Sequence, residues 1–296
     1  MTSFRPLIDK KNKMALAFDE VYRQDQRSKI DCLLFDLDDT LYPLSTGLAS
    51  EVLKNIGEYM VEKLGIDRSK ISDLCNLLYK NYGTTMAGLR AIGYSFNYDE
   101  YHSFVHGRLP YERLKPDPVL RHILLSVPIR KVIFTNADKT HATEALRRLG
   151  LEDCFEGIIC FETLNQPAEA ESTLDTANVF DIIEHSYRPT PGVELPKTPI
   201  ICKPSEFAIE HALKIANIDP QRTIFFEDSV RNIQAGKNVG LQTVLIGKSQ
   251  RVQGADYALE SIHNMREALP HLWDQPGKSA ERCYSAKLAI QAQLTA

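Results

Sequence analysis

The segment Asp31-Cys32-Leu33-Leu34-Phe35-Asp36 is apolar through its interior and stops at an acidic cluster, Asp36-Leu37-Asp38-Asp39-Thr40. A strand with one wet face alternates polar and apolar residues, whereas an unbroken apolar run is a strand covered on both faces, as in parallel sheets. Similar runs occupy 131–135, 223–227 and 241–246, with a shorter one at 157–160, and helical periodicity lies beside them at 140–149 and 230–239. Strands alternating with helices predict an α/β fold, a doubly wound parallel sheet that binds ligands at the carboxyl ends of its strands. Acidic and hydroxyl residues cluster at those ends.

The stretch after the first strand is too long for a single crossover, and it carries helical patterns at 48–64, 69–82 and 98–106. It predicts a small helical cap over 47–115, inserted after the first strand and hinged at Pro43 and at Lys115-Pro116-Asp117-Pro118. The core is then 28–46 plus 116–273. Within it, 162–199 is rich in Pro, Thr, Glu and Asp and reads as a surface excursion, partly mobile, with one helical turn around 178–183. Residues 274–296 form a C-terminal tail with one modest helix near 286–294.

A formal net charge of -4 offers no broad positive field for a polyanion, so nucleic acid is not expected as a partner. Six cysteines, including Cys283, are widely spaced with no CxxC pair, and read as reduced thiols. No apolar run approaches the roughly 20 residues that span a bilayer, and no secretory leader is evident, so a cytoplasmic protein without membrane contact is expected.

Four short motifs carry the chemistry. Alternation along an extended chain points Asp36 and Asp38 into one mouth, where two carboxylates call for a metal ion or a shared proton. An acidic helix cap would explain Asp39 or Thr40 but not the whole pattern. Glu227-Asp228 ends another strand and could complete an oxygen-rich site of the kind Mg2+ prefers. Thr135-Asn136 precedes a helix and offers hydroxyl, amide and backbone N–H groups to phosphate oxygens. Lys203, just before a Pro-initiated helix, could neutralise charge on a phosphoryl group.

In this order the four motifs resemble those of the haloacid dehalogenase superfamily, phosphatase branch, with a Rossmann-like core, over about 31–247. The resemblance implies Asp36 as nucleophile and Asp38 as general acid and then base. It also implies Thr135, Asn136 and Lys203 as phosphate ligands, and a Mg2+ site of Asp36, Asp38 (through its carbonyl) and Asp228, with Glu227 indirect. Finer resemblance lies in Phe35 to Pro43, Tyr82-Gly83, Gly88-Leu89, Phe134 to Ala137 with His141, and Glu227 to Asn232. These look like the pyrimidine 5′-nucleotidase subfamily of plants and fungi, which implies a nucleoside 5′-monophosphate such as UMP or CMP as substrate. Asn232 and His141 are candidates to position the acidic groups, and Tyr42, Tyr82, Thr84, Thr85 and Arg90 are candidates to meet the base. A phosphosugar phosphatase or mutase on the same core, or a phosphate-binding regulator without turnover, are the alternatives; intact Asp36, Asp38, Lys203 and Asp228 argue against the last.

Overall fold

The computed structural model describes residues 30–165, 179–189 and 191–273. The expected tail helix, Cys283 and much of the 162–199 stretch lie outside them. From β1 (Cys32–Phe35) the chain passes into four helices, α1 (Leu48–Glu62), α2 (Ile71–Tyr82), α3 (Thr85–Ala91) and α4 (Tyr98–Val105). It returns through α5 (Pro118–Ser126) to β2 (Arg130–Phe134), α6 (Lys139–Leu149) and β3 (Gly157–Ile159). Beyond α7 (Ile182–Tyr187) follow α8 (Glu206–Ile215), β4 (Thr223–Glu227), α9 (Val230–Val239), β5 (Gln242–Ile246) and β6 (Tyr257–Leu259).

The fold is α/β, with a six-stranded, wholly parallel sheet in the order β3-β2-β1-β4-β5-β6. Strand order reverses between β1 and β4, which is the switch point where such sheets open a crevice. Phe35 is level with Ile133 on one side and Phe226 on the other, so the chain leaves β1, β2 and β4 at one height. The Asp36 N–H donates to the Phe226 carbonyl at 2.9 Å, fixing Asp36 beside Glu227.

Alternate residues of these strands enter different cores, which is why the runs are apolar throughout. Leu33, Phe35, Ile133 and Phe226 pack with Leu124 of α5 and Leu146 of α6. Leu34, Val132, Phe134 and Phe225 pack on the other face with Ile209 of α8 and Ala235 of α9. Each large side chain buried this way contributes about 1.5–3 kcal/mol.

Helices α1 to α4 bury a cluster of their own around Tyr59, against which Phe96, Tyr101 and Phe104 stand edge-on at 5.9, 5.0 and 5.3 Å. Helix α3 was not predicted from the sequence, because it is short and carries Gly88. That glycine lets α3 close on α2: a Cβ there would stand 2.5 Å from the Leu78 Cβ. The edge strand β6 was also unforeseen, since only its last residue is buried and no apolar run marks it.

The expected surface excursion at 162–199 needs correction for its described residues. Ile182 is buried in the cluster of the helical unit, and Val179, Phe180 and Leu195 pack against it. The Phe180 N–H donates to the Ile92 carbonyl at 2.8 Å, and the Thr198 hydroxyl donates to the Ala87 carbonyl at 2.7 Å. The acid-rich composition hid these apolar positions, and the helical turn falls at α7, capped by Asp181, rather than at 178–183. Five cysteines, Cys32, Cys75, Cys154, Cys160 and Cys202, are buried free thiols. Among the described residues no helix is long and apolar enough to cross a membrane.

Candidate active site

Lys203 is only 1% exposed, and its three ammonium donors are all engaged, with Asp36 Oδ1 at 2.7 Å, Glu227 Oε2 at 2.8 Å and the Phe134 carbonyl at 2.8 Å. The Asp36 Oδ2 accepts from the Thr40 hydroxyl at 3.1 Å, and Glu227 Oε1 accepts from the Ser229 N–H at 3.1 Å. Asn136 holds the lysine backbone on both sides: its amide donates to the Lys203 carbonyl at 3.0 Å and its oxygen accepts the Lys203 N–H at 2.9 Å. The Asn136 side chain thereby positions Lys203, and its NH2 group has a second N–H beyond the one given to the Lys203 carbonyl. From the helical unit Gly83 lies against the same backbone at φ +89°, where a Cβ would be 2.4 Å from the Lys203 oxygen. Pro204 lies outside α8, whose first turn follows Ser205, so the helix is not Pro-initiated.

One ammonium between two buried carboxylates leaves one negative charge uncompensated. Burial first, then the Glu227 charge, pushes Asp36 up to about 7; burial likewise pushes Glu227 up to about 7 and Asp228 up to about 6. Lys203 stays protonated, because Asp36 and Glu227 outweigh the opposing effect of burial. Asp36, Glu227 and Asp228 bring carboxylate oxygens within 4.8 Å of one another, an all-oxygen set with excess negative charge that fits Mg2+.

This charge excess has a measurable consequence. Carboxyls raised in the fold above their unfolded values near 4 contribute stability that is complete below about pH 4 and lost as pH rises through about 7. In EDTA the melting temperature should therefore fall between about pH 5 and about pH 8, and Mg2+ should flatten that fall. Identical pH profiles with and without Mg2+ would remove the cluster as a metal site.

Asp38 is held differently. Its Oδ1 accepts a short hydrogen bond from the Tyr42 hydroxyl and meets His141 Nε2 at 2.6 Å, while Thr135 Oγ1 stands 3.5 Å from Oδ2. Burial opposes ionisation of Asp38, but the charge and hydrogen bond of His141, with the Tyr42 hydroxyl, hold its carboxyl well below the usual range. The same pairing raises His141 against the effect of burial. Tyr111 closes the other side of that imidazole, hydroxyl to Nδ1 at 2.8 Å, and the Asp138 side chain caps α6 by accepting the His141 N–H at 3.1 Å. Asp39 adopts the left-handed region at φ 57°, where Asp is better tolerated than most residues. Its buried Oδ1 lacks a partner among the described residues, and burial with the Asp38 and Asp36 charges pushes Asp39 up to about 6.

A cavity of about 470 Å³ opens beside Asp38 and Asp39 under the helical unit, also touching Asn136, His141 and Asn232. Its walls are mostly apolar, from Leu48, Val52 and Ile56 of α1 to Met86 and Val105. Of the residues proposed to meet a base, Thr84 and Thr85 line this cavity. Tyr42 lines it too, but its hydroxyl is engaged with Asp38. Tyr82 lines a different pocket, and Arg90 lies over the Phe96 and Tyr98 rings at 5.8 and 5.5 Å and donates to the Tyr94 carbonyl. Sequence reasoning missed Tyr111, Asp138, His102 and His106; the last two stand four apart on a predicted helix, which was the available signal.

A model of the haloacid dehalogenase-like hydrolases matches residues 30–240. Phosphate metabolism protein 8 of Saccharomyces cerevisiae is 31% identical over 132 residues, which are 42% of this chain and 41% of that protein. The chain thus matches less than half the length of this relative. A HAD phosphatase from Thermococcus onnurineus aligns with 81% of this chain and 98% of its own at 17% identity and TM-score 0.48. CbbY from Rhodobacter sphaeroides, solved with phosphate, aligns with 80% and 96% at 17% identity and TM-score 0.48. With its family match covering most of the chain, and Asp36, Lys203 and Glu227 converging at the switch point of a parallel sheet, this protein belongs to the haloacid dehalogenase-like hydrolases.

Proposed function

We propose that the chain is a Mg2+-dependent phosphomonoester hydrolase that works through an aspartyl-phosphate on Asp36, with nucleoside 5′-monophosphates as its substrate class. The observation that carries this reading is the contrast between two carboxylates two residues apart: Asp36 on the Lys203 ammonium, Asp38 on a Tyr42–His141 hydrogen-bond pair. Such a contrast is what separate nucleophilic and acid–base roles require. Asp36 and Asp228, with the Asp38 carbonyl, would hold Mg2+, whose charge lets a phosphate dianion approach a carboxylate.

An Asp36 oxygen forms the new bond to phosphorus as the bond to the leaving alkoxide breaks. Lys203, with Thr135, stabilises the charge on the transferring group. His141 Nε2, 2.6 Å from Asp38 Oδ1, passes its proton to Asp38, which gives it to the alkoxide and leaves the imidazole neutral. Asp38, again a carboxylate, then takes a proton from the water that attacks phosphorus as the bond to the Asp36 oxygen breaks, which frees the Asp36 carboxylate and phosphate. Residues 47–115 act in this reading as a cap that shelters the site and bears the substrate's organic portion.

The apolar walls of the cavity suit a nucleobase better than a phosphosugar, and they favour one second reading, a phosphomonoester with an apolar tail. Phosphate release from UMP, CMP, purine monophosphates, sugar phosphates and alkyl phosphates, with Mg2+ and with EDTA, separates these readings. Highest kcat/KM for UMP or CMP is expected, lost in EDTA. A clear preference for alkyl phosphates moves the substrate, and turnover that survives EDTA removes the metal.

A further inference from the structure

A second cluster of ligating side chains sits at the other side of the cavity, outside the four motifs. His102, on α4, and His106, at its end, are four residues apart and so face the same way. They stand against Asp138, the residue that caps α6. His102 Nδ1 is 3.5 Å from Asp138 Oδ1, His106 Nδ1 makes a short hydrogen bond to the same oxygen, and the two imidazoles stack with centroids 5.5 Å apart. One ligand atom from each of the three residues lies within 4.8 Å of the other two.

An independent observation points to a missing ligand. His102 is 8% exposed, yet among the described residues neither of its ring nitrogens has a hydrogen-bond partner. A buried imidazole without partners forfeits the hydration of both its donor and its acceptor, and native proteins seldom leave such groups unsatisfied. Burial, with the neighbouring His106 charge, lowers His102 to about 4, so it offers a free lone pair at neutral pH. Asp138 is already oriented, because its other oxygen accepts the His141 N–H. Support of this kind around a carboxylate is what metal ligands usually have.

We propose that His102, His106 and Asp138 form a second metal site, which takes one transition-metal ion of the Zn2+ class and is distinct from the carboxylate cluster at Asp36. Two nitrogens and one oxygen form a softer donor set than the all-oxygen cluster, so the two sites prefer different ions. Both histidines line the cavity, which leaves a fourth position for water or a substrate atom. On binding, the ion takes the place of the short hydrogen bond between His106 Nδ1 and Asp138 Oδ1. The ion would tie α4 of the helical unit to the start of α6 on the sheet, a link between the two parts of the molecule.

The test is calorimetric titration of the full chain with Zn2+ in excess Mg2+, alongside Co2+ followed by its visible d–d absorption. One equivalent of Zn2+ is expected in wild type, and a higher melting temperature with Zn2+ than with Mg2+ alone. His102→Phe, which keeps a ring in the buried site, and His106→Gln should each weaken binding at least about tenfold. Melting without metal checks that both variants fold. On wild type alone, Zn2+ should shift the imidazole NMR signals of His102 and His106, which keeps the test decisive if a variant fails to fold. Asp36→Asn should retain the Zn2+ equivalent, which separates this site from the phosphatase reading. Absence of a Zn2+ equivalent in excess Mg2+, unchanged affinity in both variants, or unmoved histidine signals would each overturn the proposal.

Discussion

Asp36→Asn should lower phosphate release by on the order of 10⁴ to 10⁶-fold, the scale seen when a covalent nucleophile is removed. The amide keeps the shape of the carboxylate, and its oxygen can still accept the Lys203 ammonium that now lies 2.7 Å from Oδ1. What it lacks is the charge and nucleophilicity to bond to phosphorus. Stability should move the other way. With Asp36 neutral, the Lys203 charge is matched by Glu227 alone, and the carboxyl that burial and the Glu227 charge push up to about 7 is gone. In EDTA near neutral pH the variant should melt at or above wild type, with a flatter pH profile. Loss of turnover together with preserved or increased stability assigns the defect to chemistry. Residual activity within about tenfold of wild type would end the nucleophile assignment.

How far the molecule could be read from its sequence follows from where its interactions are written. The strands β1, β2, β4 and β5 were visible because both of their faces are buried, which compresses the tertiary environment into a local apolar run. β6 was not, because an edge strand with Tyr257 at its exposed end has one partner and a single buried residue. The acidic residues and Lys203 were visible because each lies at a strand end or a helix start, and the parallel topology brings such ends together.

The contacts that decide their chemistry were not visible. His141 reaches Asp38 across 103 residues, and His106 reaches Asp138 across 32, separations that no periodicity records. Asn136 sits in the expected loop, but only the fold reveals that both ends of its amide face the Lys203 backbone. Arg90 shows the same limit from the other side. Its helix was unforeseen, and its guanidinium turned out to rest on Phe96 and Tyr98 rather than in the cavity.

Lys203→Met should be the most destabilising single change at the site and should also impair turnover. Methionine fills a comparable space but supplies none of the three donors now given to Asp36, Glu227 and the Phe134 carbonyl. Removing one partner of a buried ion pair costs about 3–5 kcal/mol because the other charge stays buried without compensation. For a chain of this size that corresponds to a melting temperature lower by roughly 10 °C. The penalty should shrink below about pH 5, where the two carboxyls can protonate, and Mg2+ should recover part of it by binding the exposed charge. Lys203→Met/Glu227→Gln should be more stable than Lys203→Met at neutral pH, since one of the two orphaned carboxylates is gone. Turnover should still fall by about 10² to 10³-fold in both variants, the usual loss when one charge-stabilising donor is removed. Lys203→Arg would not restore either property, because a larger guanidinium must enter a buried site where the Phe134 and Phe225 ring centroids already lie 4.9 and 5.5 Å from the ammonium. A Lys203→Met protein that melts in EDTA at the wild-type temperature near neutral pH would show that the lysine is not the counterion of this site.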